Sequence, residues 1–244
     1  MHRFYVDPDS IQDGLFLLSA EDLKHAYFVL RLKPDDRVEI VSGGCRWLSS
    51  VVEASSGKVS AEPLEQLPST ETGIAITLLQ GLPKSDKMDL IVQKAVELGV
   101  TEIVPVHFSR CVVRYSRQDA EKKTIRWNRI AREAGKQSGR CVIPRVYTPL
   151  SLSEVPDFCA AFDAAVVPWE ECRSGGPRAF AAGHPGISSL AVIIGPEGGI
   201  DPEEISLFRQ SGITPLTLGK RILRTETAGM AAVSAFLSLY GEMG

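Results

Sequence analysis

The sequence predicts an α/β protein of two domains, and three observations carry that reading. The first 67 or so residues hold short strand-like runs punctuated by Gly43, Gly44 and Gly57, the pattern of a small β-barrel. From about residue 74 onward, nearly continuous apolar runs of strand length alternate with helical stripes, which indicates a mainly parallel sheet covered on both faces. Between them PSTETG, Pro68 to Gly73, reads as a linker, so the domains are expected at 1–67 and 74–244.

In order, the expected strands of the first domain are RFYV (Arg3 to Val6), LFLL (Leu15 to Leu18), RVEIV (Arg37 to Val41), RWLSSVVE (Arg46 to Glu53) and KVSAEPL (Lys58 to Leu64). One helix interrupts them, capped by Ser19 with Asp22 three residues on and Leu23, Ala26, Tyr27 and Leu30 on one face. In the second domain AITLLQ (Ala75 to Gln80) is a strand, Ser85 caps a helix striped by Met88, Ile91, Val92, Ala95 and Val96, and Gly99 ends it. EIVPVH (Glu102 to His107) follows, then a helix from about Gln118 to Ser138 with Trp127, Ile130, Ala131 and Ala134 inward and Lys122, Arg126, Arg129 and Lys136 on its flank. AAVVP (Ala164 to Pro168), LAVIIG (Leu190 to Gly195) and TPLTLG (Thr214 to Gly219) complete the strands, while Cys172 to Gly186 follows no assignable pattern.

Composition narrows the function classes. At 244 residues, 44% hydrophobic and 23% charged, the chain has the make-up of a globular protein with a sizeable core. The start MHRFYVDPD lacks an apolar signal segment and no long apolar run occurs, so a cytoplasmic protein without a membrane partner is expected. Five scattered cysteines without CxxC spacing suggest neither disulfides nor a metal site. The net charge of −3 is unevenly spread: His107 to Arg145 holds 11 Lys or Arg against three acids, and the remainder is correspondingly acidic. A basic island points to a polyanion met by one face, with a solvated helix surface as the plainer reading.

Two loops carry the candidate chemistry. IIGPEGGIDPEE, Ile193 to Glu204, runs a strand into a glycine turn and then a helix start, with Asp201 as N-cap, Pro202 at the first helical position and Glu204 closing a capping box. The helix end is thereby satisfied, and Glu197, Asp201, Glu203 and Glu204 gather negative charge where a phosphate would need the opposite. A neutral or cationic ligand suits the turn better than a nucleotide phosphate, and a tight turn without ligand stands beside that reading. The second loop, LGKRILRTETAG (Leu218 to Gly229), sits at the end of the next strand, as ligand loops of such sheets do. Leu218, Ile222 and Leu223 offer an apolar wall, Gly219 lets a backbone approach closely, and Lys220, Arg221 and Arg224 bring cations for RNA phosphates. Thr225 or Thr227 is expected to cap the last helix, and Arg224 has Glu226 as a possible surface partner.

Taken together, GPEGG followed by LGKRILRTETA, with RFYV, VLRLKPDDRVEIVSG, KSDKMDLIVQKAVELGV and RWNRIAREAGKQSGR ahead of them, resembles the SPOUT superfamily of S-adenosylmethionine-dependent RNA methyltransferases. More narrowly it is similar to the RsmE-type family, which methylates uracil N3 in small-subunit ribosomal RNA. The resemblance implies an N-terminal PUA-like barrel that helps hold RNA, a C-terminal α/β domain threaded as a trefoil knot, and a homodimer with the Thr227 to Ala235 helix at its face. It implies S-adenosyl-L-methionine bound by Gly195, Pro196, Glu197, Gly198, Gly199, Leu218, Gly219, Ile222 and Leu223, with the strand end Val167 to Trp169 beside them. Arg224 is then the expected charge stabiliser and Glu226 or Glu197 the proton acceptor; no metal is required. Arg3, Arg31, Lys33, Arg110, Arg126 and Arg140 are expected to meet phosphates of ribosomal RNA or of the assembled small subunit, and Tyr5 or Trp127 to stack on bases, with core packing the commoner fate of such a tryptophan. Two other readings remain open, a relative acting on tRNA or another RNA site and a non-catalytic ribosome-assembly module.

Overall fold

A computed structural model describes residues 1–243, and the fold is mixed α/β with two sheets. The chain divides into two units, one formed by Met1–Glu71 with Gly139–Val142, the other by Thr72–Ser138 with the chain from Ile143 onward.

In the first unit the strands are β1 (His2–Tyr5), β2 (Ile11–Gln12), β3 (Leu15–Leu17), β4 (Arg37–Ser42), β5 (Cys45–Ala54) and β6 (Val59–Leu67), in the order β1-β4-β5-β6-β3-β2. Only β1 and β4 run parallel. The expected closed barrel is not found: β1 and β2 end the path, and with four and two residues they are too short to seal a ring. Helix α1 (Ala20–Lys24) starts where Ser19 was expected to cap it, its hydroxyl accepting from the Asp22 N–H at 3.1 Å, and continues into a π-helical turn, His25–Val29. Phe4, Phe16, Ala26, Val38, Ile40 and Val51 fill the core between helix and sheet.

The second unit contains β7 (Ala75–Gly81), α2 (Lys87–Leu98), β8 (Glu102–His107), α3 (Arg117–Ser138), β9 (Arg145–Val146), β10 (Leu150–Ser151), α4 (Val155–Cys159), β11 (Ala164–Pro168), α5 (Pro177–Gly183), β12 (Ser189–Ile194), α6 (Pro202–Gln210), β13 (Thr214–Leu216) and α7 (Thr225–Leu239). All of its strand pairs are parallel, in the order β10-β8-β7-β12-β11-β13, with β9 beside β8. Burial on both faces explains the unbroken Val, Ile and Leu runs of β7, β8 and β12. Gly99 ends α2 in the left-handed conformation, as its position after the last striped residue suggests. The unpatterned stretch after Cys172 contains α5, whose Phe180 is buried against Phe236 of α7. Because the sheet is parallel, the loops following β7, β8, β11, β12 and β13 all leave from one edge.

Candidate functional site

Polar groups sit at that edge of a largely apolar parallel sheet. Gln80, the penultimate residue of β7, is fully buried, and such a group needs hydrogen bonds. Its Nε2 donates to Thr225 Oγ1 at 2.8 Å and to the Gly81 carbonyl at 3.1 Å, and Thr225 Oγ1 donates to the Gly195 carbonyl at 2.6 Å. This short relay ties the end of β7, the glycine turn after β12 and the start of α7. Thr225 is therefore spent inward and caps nothing; Arg224 occupies the N-cap position of α7 without a side-chain cap bond. Backbone proximity is equally tight, since a Cβ on Gly81 would come within 2.6 Å of the Pro196 nitrogen.

A second tie runs through Lys87. Its ammonium lies 3.2 Å from Glu197 in the turn and 3.2 Å from Glu226 in the first turn of α7. Glu197 also accepts the Lys84 N–H, at 3.1 and 3.3 Å to its two oxygens. Burial works against an ionised Glu197, but its own backbone N–H, that of Lys84 and the Lys87 ammonium outweigh it and hold the carboxyl below its ordinary value. Hydrogen bonds from Glu197 and then Glu226 push the Lys87 ammonium up in turn. The helix here begins at Lys87, not with a Ser85 cap, because Ser85 takes a left-handed turn with φ of 56°.

On the far side of the turn, Asp201 and Glu204 form the expected capping box of α6. Arg110 pairs with Asp201 at 2.9 Å and reaches the Gly198 carbonyl at 3.5 Å, and the Ser109 N–H donates to Glu204 at 2.8 Å. The turn itself has Pro196 buried, Gly195, Glu197 and Gly199 half-buried and Gly198 exposed. In the second loop Leu218 and Leu223 are half-buried, Ile222 is 86% exposed, and Gly219 takes φ of 108° with open space over its Cα. Arg224 is exposed and its guanidinium has no partner among the described residues; Glu226 pairs with Lys87 instead. The structure therefore brings both loops together at one sheet edge, with an acidic turn, an apolar wall and an unpaired guanidinium. The indole Nε1 of Trp169, just beyond β11, is buried without a hydrogen-bond partner at the same edge.

The cations expected to meet phosphate are not equivalent. Arg31 and Lys33 are exposed, with Arg31 in the left-handed region at φ of 55°. Arg110 and Arg126 are about half exposed, Arg126 paired with Asp89 at 2.5 Å. Arg3 is bound by Glu39, which also holds Arg46, and Arg140 is 4% exposed against Glu71. Arg3 and Arg140 thus serve the first unit's own packing. Trp127 is 1% exposed in the core and has no face open to a base, while Tyr5 is half-buried with its hydroxyl donating to the Arg140 carbonyl at 2.7 Å.

Lys87 and Gln80 are site residues that sequence reasoning passed over, although both leave a signal. A lysine in the first turn of a helix opposes the macrodipole and implies a local carboxylate. A glutamine ending an apolar parallel strand implies a buried partner. No group of side chains suited to a metal ion occurs among the described residues, and none of their helices is long and apolar enough to cross a membrane.

Residues 70–237 match the RNA methyltransferase domain family. Ribosomal RNA small subunit methyltransferase E of Bacillus subtilis is 36% identical over 96% of this chain and 95% of its own length. The same-named protein of Mycobacterium tuberculosis is 30% identical over 95% and 89%. Among solved structures, ribosomal RNA small subunit methyltransferase E from Neisseria gonorrhoeae bound to S-adenosyl methionine superimposes with a TM-score of 0.82 at 32% identity, covering 100% of both chains. A methyltransferase from Legionella pneumophila in complex with the same cofactor gives 0.79 at 30% identity over 97% and 96%.

Proposed function

The chain belongs to the RNA methyltransferase family, and from that premise we propose that it methylates N3 of a uridine in small-subunit ribosomal RNA, using the two latched loops as donor slot and Arg224 as charge stabiliser. Its broader class is plain: it is an S-adenosylmethionine-dependent methyltransferase of small-subunit ribosomal RNA. The observation that carries the finer reading is the meeting of the glycine turn and the KRILR loop at one edge, with the exposed, unpaired Arg224 at the N-cap of α7.

The residues present fit the donor. Gly195 to Gly199 and Leu218 to Leu223 offer glycine backbone and an apolar wall for an adenine ring, and the open space over Gly219 admits close approach. The carboxylate-rich turn suits a ligand with a sulfonium and an ammonium but no phosphate. S-adenosylmethionine, when bound, supplies an electrophilic methyl group whose bonding pair leaves with sulfur. The protein's own part is to align N3 with that carbon, a term worth roughly 7 to 11 kcal/mol in well-oriented systems. The N3 imide proton must leave as the N–C bond forms. In this reading Glu226 accepts it, and the exposed Arg224 guanidinium steadies negative charge on the uracil carbonyls.

Around that site, we infer a PUA-like role for the first unit in holding RNA, through Arg31 and Lys33, with Arg110 and Arg126 contacting phosphates from the second. A trefoil-knotted path through the two loops, a homodimer using the small residues of α7, and a cytoplasmic setting complete the reading. Labelled S-adenosylmethionine incubated with small subunits from cells lacking the gene tests it. Label recovered as 3-methyluridine supports the reading; label in another nucleoside, or transfer only to tRNA, overturns the uridine assignment.

A further inference from the structure

A cation in the first turn of a helix lies against the positive end of the macrodipole, so Lys87 is electrostatically misplaced unless something else holds it. What holds it is a pair of carboxylates from two different segments, Glu197 and Glu226, each 3.2 Å from the same ammonium. The three side chains are only 36%, 17% and 25% exposed, so the bridge is partly shielded from water. Among the described residues no other side-chain cation contacts either carboxylate, and Glu197 also accepts the Lys84 N–H of the β7–α2 loop. Removing the ammonium would leave two negative groups facing each other across the junction of the two loops.

We propose that Lys87 is a positioning residue for methyl transfer, its ammonium fixing the Glu197 turn against the first turn of α7 so that donor slot, Glu226 and Arg224 share one geometry. The inference rests on reading this edge as the donor slot. Lys87 touches neither S-adenosylmethionine nor uracil in this role; it acts through the two carboxylates, one of them the proposed proton acceptor Glu226. The Gln80–Thr225–Gly195 relay fixes the same junction from the buried side, so loss of Lys87 loosens the slot without unfolding the unit.

The test compares wild type, Lys87→Met, Lys87→Arg, Glu197→Gln and the Lys87→Met/Glu197→Gln double variant. S-adenosylmethionine affinity is read by calorimetry, and kcat and KM for small subunits by methyl transfer. Lys87→Met is expected to weaken cofactor binding about tenfold and to lower kcat by a similar factor, the scale on which small misplacements act, with KM for the subunit unchanged. Lys87→Arg should restore most of both, and the double variant should be no worse than Lys87→Met, because one bridge is being cut twice. Wild-type binding and turnover by a folded Lys87→Met protein overturns the inference. So does a change confined to KM for the subunit, which would make Lys87 an RNA contact. If Lys87→Met does not fold, Glu197→Gln alone decides: unchanged cofactor affinity there overturns the bridge. Should wild type itself bind no S-adenosylmethionine, the reading of the slot fails, and that outcome is separate from the others.

Discussion

Arg140 and Arg224 pose the same chemical problem, a guanidinium beside a loop, and the molecule solves it in opposite ways. Arg140 is 4% exposed and bonded to Glu71 through both Nε and Nη2, while the N–H groups of Cys141 and Val142 donate to the same carboxylate. Arg224 stands in water with no partner among the described residues. A charge taken from water must be paired, so Arg140 is committed to holding Gly139–Val142 onto the first unit. An exposed charge stays hydrated and remains available to a substrate. Residue type therefore does not decide an arginine's task; its carboxylate neighbours do.

The largest effect should come from breaking the committed pair. Arg140→Met leaves the Glu71 carboxylate without its cation, and the loss of one partner of a buried pair costs about 3–5 kcal/mol. Denaturant unfolding reads it directly, and an unchanged midpoint would remove the pair from the argument. Adding Glu71→Leu should recover much of the loss, since the stranded charge goes too. Arg224→Ala should do the reverse. Stability and S-adenosylmethionine affinity should match wild type while kcat falls about a hundredfold, the scale of losing one preorganised donor to a developing oxyanion. Turnover at the wild-type rate would contradict its proposed role.

That contrast was only half legible in the amino acids. The parallel sheet, the α6 capping box and the Gly99 stop follow from local patterns, because apolar period and cap chemistry act within a few residues. Arg140 looked like part of a basic island because its partner lies 69 positions away in a stretch that reads as a linker. The neighbours of Arg224 were hidden for the same reason: Glu226, two residues on, turns to Lys87 instead, 139 positions earlier. Burial and long-range pairing are properties of the fold, and no spacing rule exposes them.

Acid titration sharpens the comparison further. Burial disfavours ionised Glu71, but the Arg140 guanidinium and then the two backbone N–H groups outweigh it and hold the carboxyl below its ordinary 4.5. A carboxyl lowered in the folded state stabilises the protein above its unfolded value and loses that contribution as pH falls through the folded one. Wild type should therefore lose stability progressively below about pH 4.5, and Arg140→Met, already lacking the pair, should lose less over the same window. Arg224→Ala should follow the wild-type curve. Parallel curves for wild type and Arg140→Met would show that Glu71 does not drive the acid response.

The smallest effect belongs to an arginine between the two extremes. Arg126 is 50% exposed and bonds Asp89 through Nε and Nη2, so its pair is solvated and geometrically good at once. Exposed pairs contribute about 0.2–1 kcal/mol, and Arg126→Ala should shift the unfolding midpoint by no more than that. If Arg126 also releases its carboxylate to meet a phosphate, the same variant should weaken RNA binding and lower the slope of log affinity against log salt by about one. A salt slope identical to wild type would place Arg126 with Arg140, as a guanidinium whose partner is the protein itself. A reduced slope at unchanged stability would place it with Arg224, and would show that an arginine can keep a carboxylate partner and still be spared for the substrate, provided that water reaches the pair.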